Sequence, residues 1–168
     1  MEIKKIYFDM DGVLADFNLG LKELCGIEPM DQESKAPAQD DEMWQMVKKI
    51  DHFYDKLKPM PGALKMFEAL SNEYGEKCEI LSGIPKPHRG IAHAGEDKVN
   101  WAHRLLSKDL KVNIVYREEK KNYCKGPEYI LIDDLSKSIK EWESSGGTGI
   151  LFTSAEDVLA RIDEIKKR

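Results

Sequence analysis

The stretch Lys5-Ile6-Tyr7-Phe8-Asp9-Met10-Asp11-Gly12-Val13-Leu14-Ala15-Asp16 decides the reading of this chain. A short apolar run, already started at Ile3, drives into an acid. A second acid stands two residues on, followed at once by glycine. The pattern predicts a buried strand whose end carries two carboxylates beside a tight turn. Open α/β sheets bind ligands outside the carboxyl ends of their strands, so these acids sit where such a sheet does its chemistry. A calcium loop also starts with spaced acids, but it needs a Glu at its twelfth position. Counted from Asp9, that position is Gly20.

Four further apolar runs suit strands of a buried parallel sheet: Cys78 to Leu81, Val112 to Tyr116 in alternation, Tyr129 to Ile132, and Gly149 to Phe152. Helical patterns separate them. Pro61 is expected at a helix start, with Leu64, Phe67, Leu70 and Tyr74 on its core face. Glu96 and Asp97 are expected to open the next helix, where acids suit the dipole, with Val99, Ala102, Leu105 and Leu106 inward. Ile139 and Trp142 mark a helix stopped by Gly146-Gly147. Ser154, with Asp157 three residues on, starts the last, whose core face is Val158, Ile162 and Ile165. Strand alternating with helix predicts right-handed crossovers and an α/β fold, a doubly wound, five-stranded, parallel Rossmann-like sheet.

One interval breaks the rhythm. Residues 17–59 hold no good strand. They read as two helical stretches, one with Phe17, Leu21 and Leu24 and one with Trp44, Val47, Ile50 and Tyr54, around a polar loop from Met30 to Asp41. The expected organisation is a core of residues 1–16 and 60–168 with a small helical cap, 17–59, inserted after the first strand.

The 168 residues carry 26 Lys and Arg against 31 Asp and Glu, a net charge of −5, which argues against a nucleic-acid polymer as partner. With 34% charged and 41% hydrophobic residues, the chain reads as globular. No stretch is apolar enough for a membrane helix, and Met1 to Ile6 leave no room for a signal peptide. Cys25, Cys78 and Cys124 are odd in number and lack C-x-x-C spacing, so a reducing cytoplasm is expected.

Chemistry-bearing residues recur at the other predicted strand ends. Ile132-Asp133-Asp134 adds two acids. Asp9, Asp11, Asp133 and Asp134 on one sheet edge would repel one another unless a hard cation such as Mg²⁺ sat among them. Setting these four aside takes the net charge from −5 to −1. Ser82-Gly83 offers a hydroxyl and backbone N–H groups to an anion. A phosphate among carboxylates also needs a fixed cation, for which Lys98, Lys120, Lys121 and Lys125 are candidates. His88, His93 and His103 lack zinc-site spacing and read as loop-structuring or solvated. Gly146-Gly147-Thr148-Gly149 precedes a strand and so is no dinucleotide loop.

Strand–D-x-D-G, strand–Ser, Lys, and strand–Asp-Asp, in this order, resemble the haloacid dehalogenase-like superfamily, which places a helical cap where residues 17–59 fall. A narrower resemblance is to the 5′(3′)-deoxyribonucleotidases. It rests on Asp9 to Phe17, Pro59 to Ala63, Lys98 to Trp101, Leu131 to Asp134, and Trp142 to Phe152. Lys121-Asn122-Tyr123-Cys124-Lys125-Gly126 is similar to that family's phosphate-binding lysine loop, with Lys121 favoured by spacing. Leu135 stands where those enzymes carry an Arg, and the cap is shorter.

The resemblance implies a Mg²⁺-dependent phosphomonoesterase. Asp9 would be the nucleophile that becomes an aspartyl-phosphate, and Asp11 the general acid and base, its backbone carbonyl also on the metal. Asp134 and Asp133 would complete the metal's ligands, and Ser82, Gly83, Lys121 and Lys98 would hold phosphate. The expected substrate is a small phosphorylated molecule, a nucleoside monophosphate above others, in a monomer or homodimer. Phe17, Trp44 and Phe53 of the cap would form an aromatic wall for its base. Two other classes stay open: a receiver-type phosphoacceptor module, and a catalytically idle binding protein on the same fold.

Overall fold

A computed structural model describes residues 1–168. Five strands form one parallel sheet in the order β3-β2-β1-β4-β5: β1 Lys5–Phe8, β2 Cys78–Gly83, β3 Val112–Val115, β4 Tyr129–Asp133 and β5 Thr148–Leu151. The central strand is β1, with Phe8 in register with Ile80 on one side and Ile132 on the other. The chain winds outward from β1 to β3, then restarts at β4 on the far side of β1. The reversal lies between β1 and β4, the crevice where such sheets take ligands. Asp9 and Asp133 end the two strands that flank it.

Alternation gives each face its core. Ile6, Phe8, Ile80, Ile130 and Ile132, all fully buried, point to the side covered by α3 (Ala63–Tyr74), α4 (Ala94–Leu105) and α6 (Ala155–Lys166). Each such side chain is worth roughly 1.5–3 kcal/mol of burial. Tyr7, Leu81 and Leu131 point the other way, onto Ile139 and Trp142 of α5 (Ser136–Ser144). The Trp142 indole donates to the carbonyl of Tyr129 at 3.0 Å, so a buried polar edge is satisfied.

Three sequence expectations shift. Helix α3 begins at Ala63, not Pro61, because Gly62 has a left-handed φ of 73° that no helix position tolerates. Leu64 is correspondingly exposed, and Ala63, Met66, Phe67 and Leu70 make the core face. Helix α4 begins two residues before Glu96, and Asp97 lies buried on its inner face. The polar loop of the insertion ends early, at Pro37, which starts α2 (Pro37–Lys48). Proline pre-sets φ there and lacks the N–H that a first turn leaves unpaired.

The insertion leaves and rejoins the core through one stem. Asp16 donates its N–H to the Lys58 carbonyl at 2.7 Å, and Met60 to the Leu14 carbonyl at 2.8 Å. Asp16 then caps α1 (Phe17–Cys25), its carboxylate accepting from Leu19 N–H at 3.1 Å. After α2, a 3-10 turn over Phe53–Lys56 lies against α4. No helix is long and apolar enough to cross a membrane.

Candidate active site

The strand ends converge as the spacing predicts. Carboxylate oxygens of Asp9, Asp133 and Asp134 lie within 4.8 Å of one another. Asp9 and Asp133 are buried, at 6% and 0% exposure. Gly12 makes this possible. Its φ is +83°, and a Cβ there would stand 2.0 Å from Asp134 Oδ2. Only glycine lets the loop turn and the Asp134 carboxylate lie against it.

Two buried lysines answer the acids. Lys120 donates to Asp9 Oδ1 at 2.9 Å and to Asp133 Oδ2 at 2.7 Å. The N–H of Leu135 holds the other oxygen of Asp133 at 3.0 Å. Lys98, with no exposed side-chain surface, donates to Asp11 Oδ2 at 3.0 Å, Ser82 Oγ at 2.8 Å and the Gly83 carbonyl at 2.7 Å. Four carboxylates thus face two ammonium groups, a surplus of two negative charges.

Burial first, and that surplus second, hold the carboxyls of Asp11, Asp133 and Asp134 above their ordinary range. Burial pushes Asp134 up to about 9, helped by the charges of Asp9 and Asp133. Burial and then Asp9 raise Asp133 to about 6, although Lys120 opposes them. Asp11 is also raised, first by burial, with Lys98 pulling the other way. Burial works against the charge on Lys120, yet Asp9 and Asp133 outweigh it and raise that lysine. Asp11 Oδ1 is buried with no hydrogen-bond partner.

A divalent hard cation fits this donor set. Asp9, Asp133 and Asp134 each offer it a carboxylate oxygen, Asp133 with both oxygens already accepting one hydrogen bond. The ligands are carboxylates alone, with no thiolate or imidazole, which suits Mg²⁺ or a similar oxygen-seeking ion. Its charge would cancel the surplus of two.

Above the acids lies a cleft of about 350 Å³. Its apolar wall includes Phe17, Trp44, Tyr54 and Ile84, and its polar rim Asn18, Gln32, Lys35 and Arg117. Asp9, Asp11, Lys120, Gly83 and Asp134 reach it; Ser82, Lys98, Asp133 and Phe53 do not. Ser82 is fully buried, its hydroxyl accepting from Lys98, so it steadies that lysine beneath the cleft. Phe53, 2% exposed, packs edge-on to Phe17 with centroids 5.6 Å apart and props the cap from inside.

Lys121 needs correction. Residues 117–123 form a 3-10 helix, with three residues per turn, so Arg117 and Lys120 share the face toward the cleft. Lys121 turns outward, is exposed, and lines a separate depression with Ser136, Lys137 and Lys140. Lys125 is exposed as well. No periodicity visible in Arg117-Glu118-Glu119-Lys120-Lys121 distinguishes the two neighbours. The cap's rim, Asn18, Gln32 and Lys35, carried no sequence signal either, since such residues are ordinary in a polar loop.

Residues 2–164 match the family described as 5′ nucleotidase, deoxy (Pyrimidine), cytosolic type C protein. The chain belongs to this family. The nucleotidase is 29% identical over 134 residues to a protein of Vibrio phage KVP40 named "Putative 5'(3')-deoxyribonucleotidase", across 79% of this chain and 67% of that one. Solved structures share the fold at low identity. A haloacid dehalogenase-like hydrolase from Streptococcus pneumoniae aligns at a TM-score of 0.61 and 14% identity, over 95% of this chain and 98% of its own. One from Ehrlichia chaffeensis aligns at 0.58 and 14%, over 98% of each chain. One from Deinococcus radiodurans, holding phosphate and sodium, aligns at 0.56 and 15%, over 98% and 96%. As a member of the nucleotidase family the chain is a hydrolase acting on a small phosphorylated substrate, and its fold is that of haloacid dehalogenase-like hydrolases.

Proposed function

We propose that this nucleotidase hydrolyses nucleoside monophosphates, deoxy forms included, through an aspartyl-phosphate on Asp9 with Mg²⁺ as cofactor. The observation that carries the reading is the cleft floor, where Asp9 stands between buried Lys120 and the Asp133–Asp134 pair. A carboxylate attacking a phosphate dianion meets like-charge repulsion, and cations fixed beside it lower that barrier. Bound by Asp9 and Asp134, with the Asp11 carbonyl as a further ligand, Mg²⁺ would neutralise charge on the phosphoryl oxygens.

The rest falls to the chain. An Asp9 oxygen bonds to phosphorus while the bond from phosphorus to the nucleoside oxygen breaks. Asp11, its pKa raised by burial, supplies the proton that the leaving oxygen takes up. It then accepts one from the water that attacks the acyl phosphate and frees Asp9. Lys98 orients Asp11 and opposes its full neutralisation. Lys120 aims Asp9, while Gly83 and Arg117, which line the cleft, would meet phosphate oxygens in this reading.

Residues 17–59 act in this reading as the specificity cap. The wall of Phe17, Trp44 and Tyr54 above the acids supports a flat, aromatic leaving group, since base stacking on such rings contributes roughly 1–3 kcal/mol. The unpaired cysteines fit a cytoplasmic setting.

A phosphate-release screen over deoxynucleoside and ribonucleoside 5′- and 3′-monophosphates and common sugar phosphates tests the substrate class. Nucleotides are expected to lead, and a flat profile would remove the nucleotide assignment. Asp9→Asn is expected to lower turnover of an aryl phosphate by at least about 10³-fold, the scale on which losing a covalent nucleophile acts. Undiminished turnover in that variant would remove the nucleophile assignment.

A further inference from the structure

The cap and core meet along one face of α4, and the contacts form a ladder. Asp97 Oδ1 lies 2.8 Å from His52 Nδ1. Lys98 Nζ lies 4.5 Å from the centre of the Tyr54 ring. The Trp101 indole donates to the Leu57 carbonyl at 2.8 Å, and Arg104 to the carbonyl and a carboxylate oxygen of Asp55, both at 2.8 Å. Positions 97, 98, 101 and 104 share a helix face by their spacing. They grip the segment 52–57 of the cap end to end. Of these rungs, His52–Asp97 is the one built on histidine, the side chain whose ordinary pKa lies near neutral.

That rung has unusual features. Asp97 is 2% exposed, and its Oδ2 is buried without a partner. His52 is the hydrogen-bond partner its side chain has, and a buried carboxylate is costly unless paired. His52 and His93 are the chain's two non-glycine residues with left-handed φ, 52° and 61°. Their rings stack with centroids 5.3 Å apart. His52 precedes the 3-10 turn that carries Tyr54, and His93 precedes the helix that carries Lys98. Both hold backbone conformations that need support from their surroundings.

We propose that His52 is a positioning residue of this nucleotidase: its bond to buried Asp97 sets the 52–57 segment on α4 and so holds Tyr54 over Lys98. The inference rests on the cleft reading above, because Tyr54 is part of the cleft wall on which the substrate's base is read to stack. The His52 side chain is about half exposed, and charged groups approach it from two elements. Asp51, 3.8 Å from Nε2, and Asp55 lie on its own segment, while Asp97, His93 and Glu96, itself 3.5 Å from His93, lie on or beside α4. Arg104 is tied to Asp55. The hydrogen bond to Asp97, then its charge and that of Asp51, raise the pKa of His52 above its ordinary value. The tie is therefore strongest below the usual histidine pKa and weakens as pH rises through the folded one.

His52→Gln removes the charge and keeps a side chain of similar reach. Its KM for a nucleoside monophosphate is expected to rise about 5-fold at pH 6, the low end of inter-site coupling, with kcat within about 2-fold of wild type. The ratio of wild-type to variant kcat/KM cancels the substrate's own titration. It is expected to fall toward one by pH 9. A ratio flat with pH, or a loss of kcat at unchanged KM, would overturn the proposal. A second measurement does not depend on turnover. The His52 imidazole, followed by NMR, is expected to titrate lower in Asp97→Asn than in the wild type, and an unmoved titration would also overturn it. Should Asp9→Asn retain phosphate release, the nucleophile reading fails, while this titration still reports on the His52–Asp97 tie.

Discussion

Two charged clusters sit at opposite ends of the same sheet. Toward the amino ends of the strands, the buried carboxylate of Glu79 accepts from Lys5 and, at 2.9 Å, from Asn113. At the carboxyl ends, four acids meet Lys98 and Lys120. Burial alone would raise Glu79, but the Lys5 and Asn113 hydrogen bonds outweigh it and leave its pKa lowered. In the other cluster Asp11, Asp133 and Asp134 are all raised. The first cluster is internally satisfied; the second is complete only with something added. Deep burial of unbalanced charge, more than charge as such, is what marks the functional end.

Removing one lysine from each cluster should break them in different ways, and this is the largest effect expected. Lys120→Met strips Asp9 and Asp133 of their shared cation. Losing one partner of a buried pair costs about 3 kcal/mol or more, and losing a fixed charge at a phosphoryl site costs about 10²–10³-fold in kcat. Lys5→Met leaves Glu79 with Asn113, beside a depression open to solvent. A loss of about 1–2 kcal/mol with unchanged turnover is expected there. Urea unfolding and phosphate release on both variants decide it. Equal losses of activity would erase the distinction.

The sheet was legible because its signals are local and periodic. Each of the five strands is an apolar run, and β1, β2 and β4 end at or beside the residues of interest. Asp9, Asp11, Asp133 and Asp134 could be placed together because parallel strands align their carboxyl ends. What the sequence hid depends on angles that spacing does not encode. Lys120 and Lys121 differ by one position and by a third of a 3-10 turn, which sends one into the site and the other to solvent. Phe53 and Trp44 are both aromatic and both in the insertion, yet only Trp44 reaches the cleft. Asp97 reads as a first-turn acid suited to the helix dipole, while its partner His52 lies 45 residues away.

The cap offers a second, smaller contrast. Phe53→Ala should cost about 3 kcal/mol of stability, since it empties a buried site between Phe17 and Tyr54. Trp44 is half-buried and lies on the cleft wall, its ring 6.0 Å from Phe17. Trp44→Ala should raise KM for nucleotides about 10-fold, a loss within the range of one base stack, and leave KM for a sugar phosphate near wild type. Unequal KM changes for the two substrates would place base recognition on this wall. Equal changes would make Trp44 a general closing element.

The smallest effect should appear in the pH dependence of stability. Glu79, with a lowered pKa, contributes stability that is present above about 4.5 and lost as pH falls. Asp133 and Asp134, with raised values, behave oppositely. Folding keeps protons on them that the unfolded chain releases, so stability falls as pH rises from the ordinary aspartate value of 3.8 toward about 9. The metal-free protein should therefore lose thermal stability between pH 5 and pH 9 by several degrees, at roughly 2–4 °C per kcal/mol for a chain of this size. A divalent cation bound at the acids displaces those protons and stabilises the folded state alone. Added Mg²⁺ should accordingly raise Tm more at pH 8 than at pH 5. Asp134→Asn should abolish most of that difference, because it removes both the proton and a ligand. A Mg²⁺ shift of the same size at both pH values would mean that the cation binds away from these carboxylates, and the contrast between the two ends of the sheet would lose its explanation.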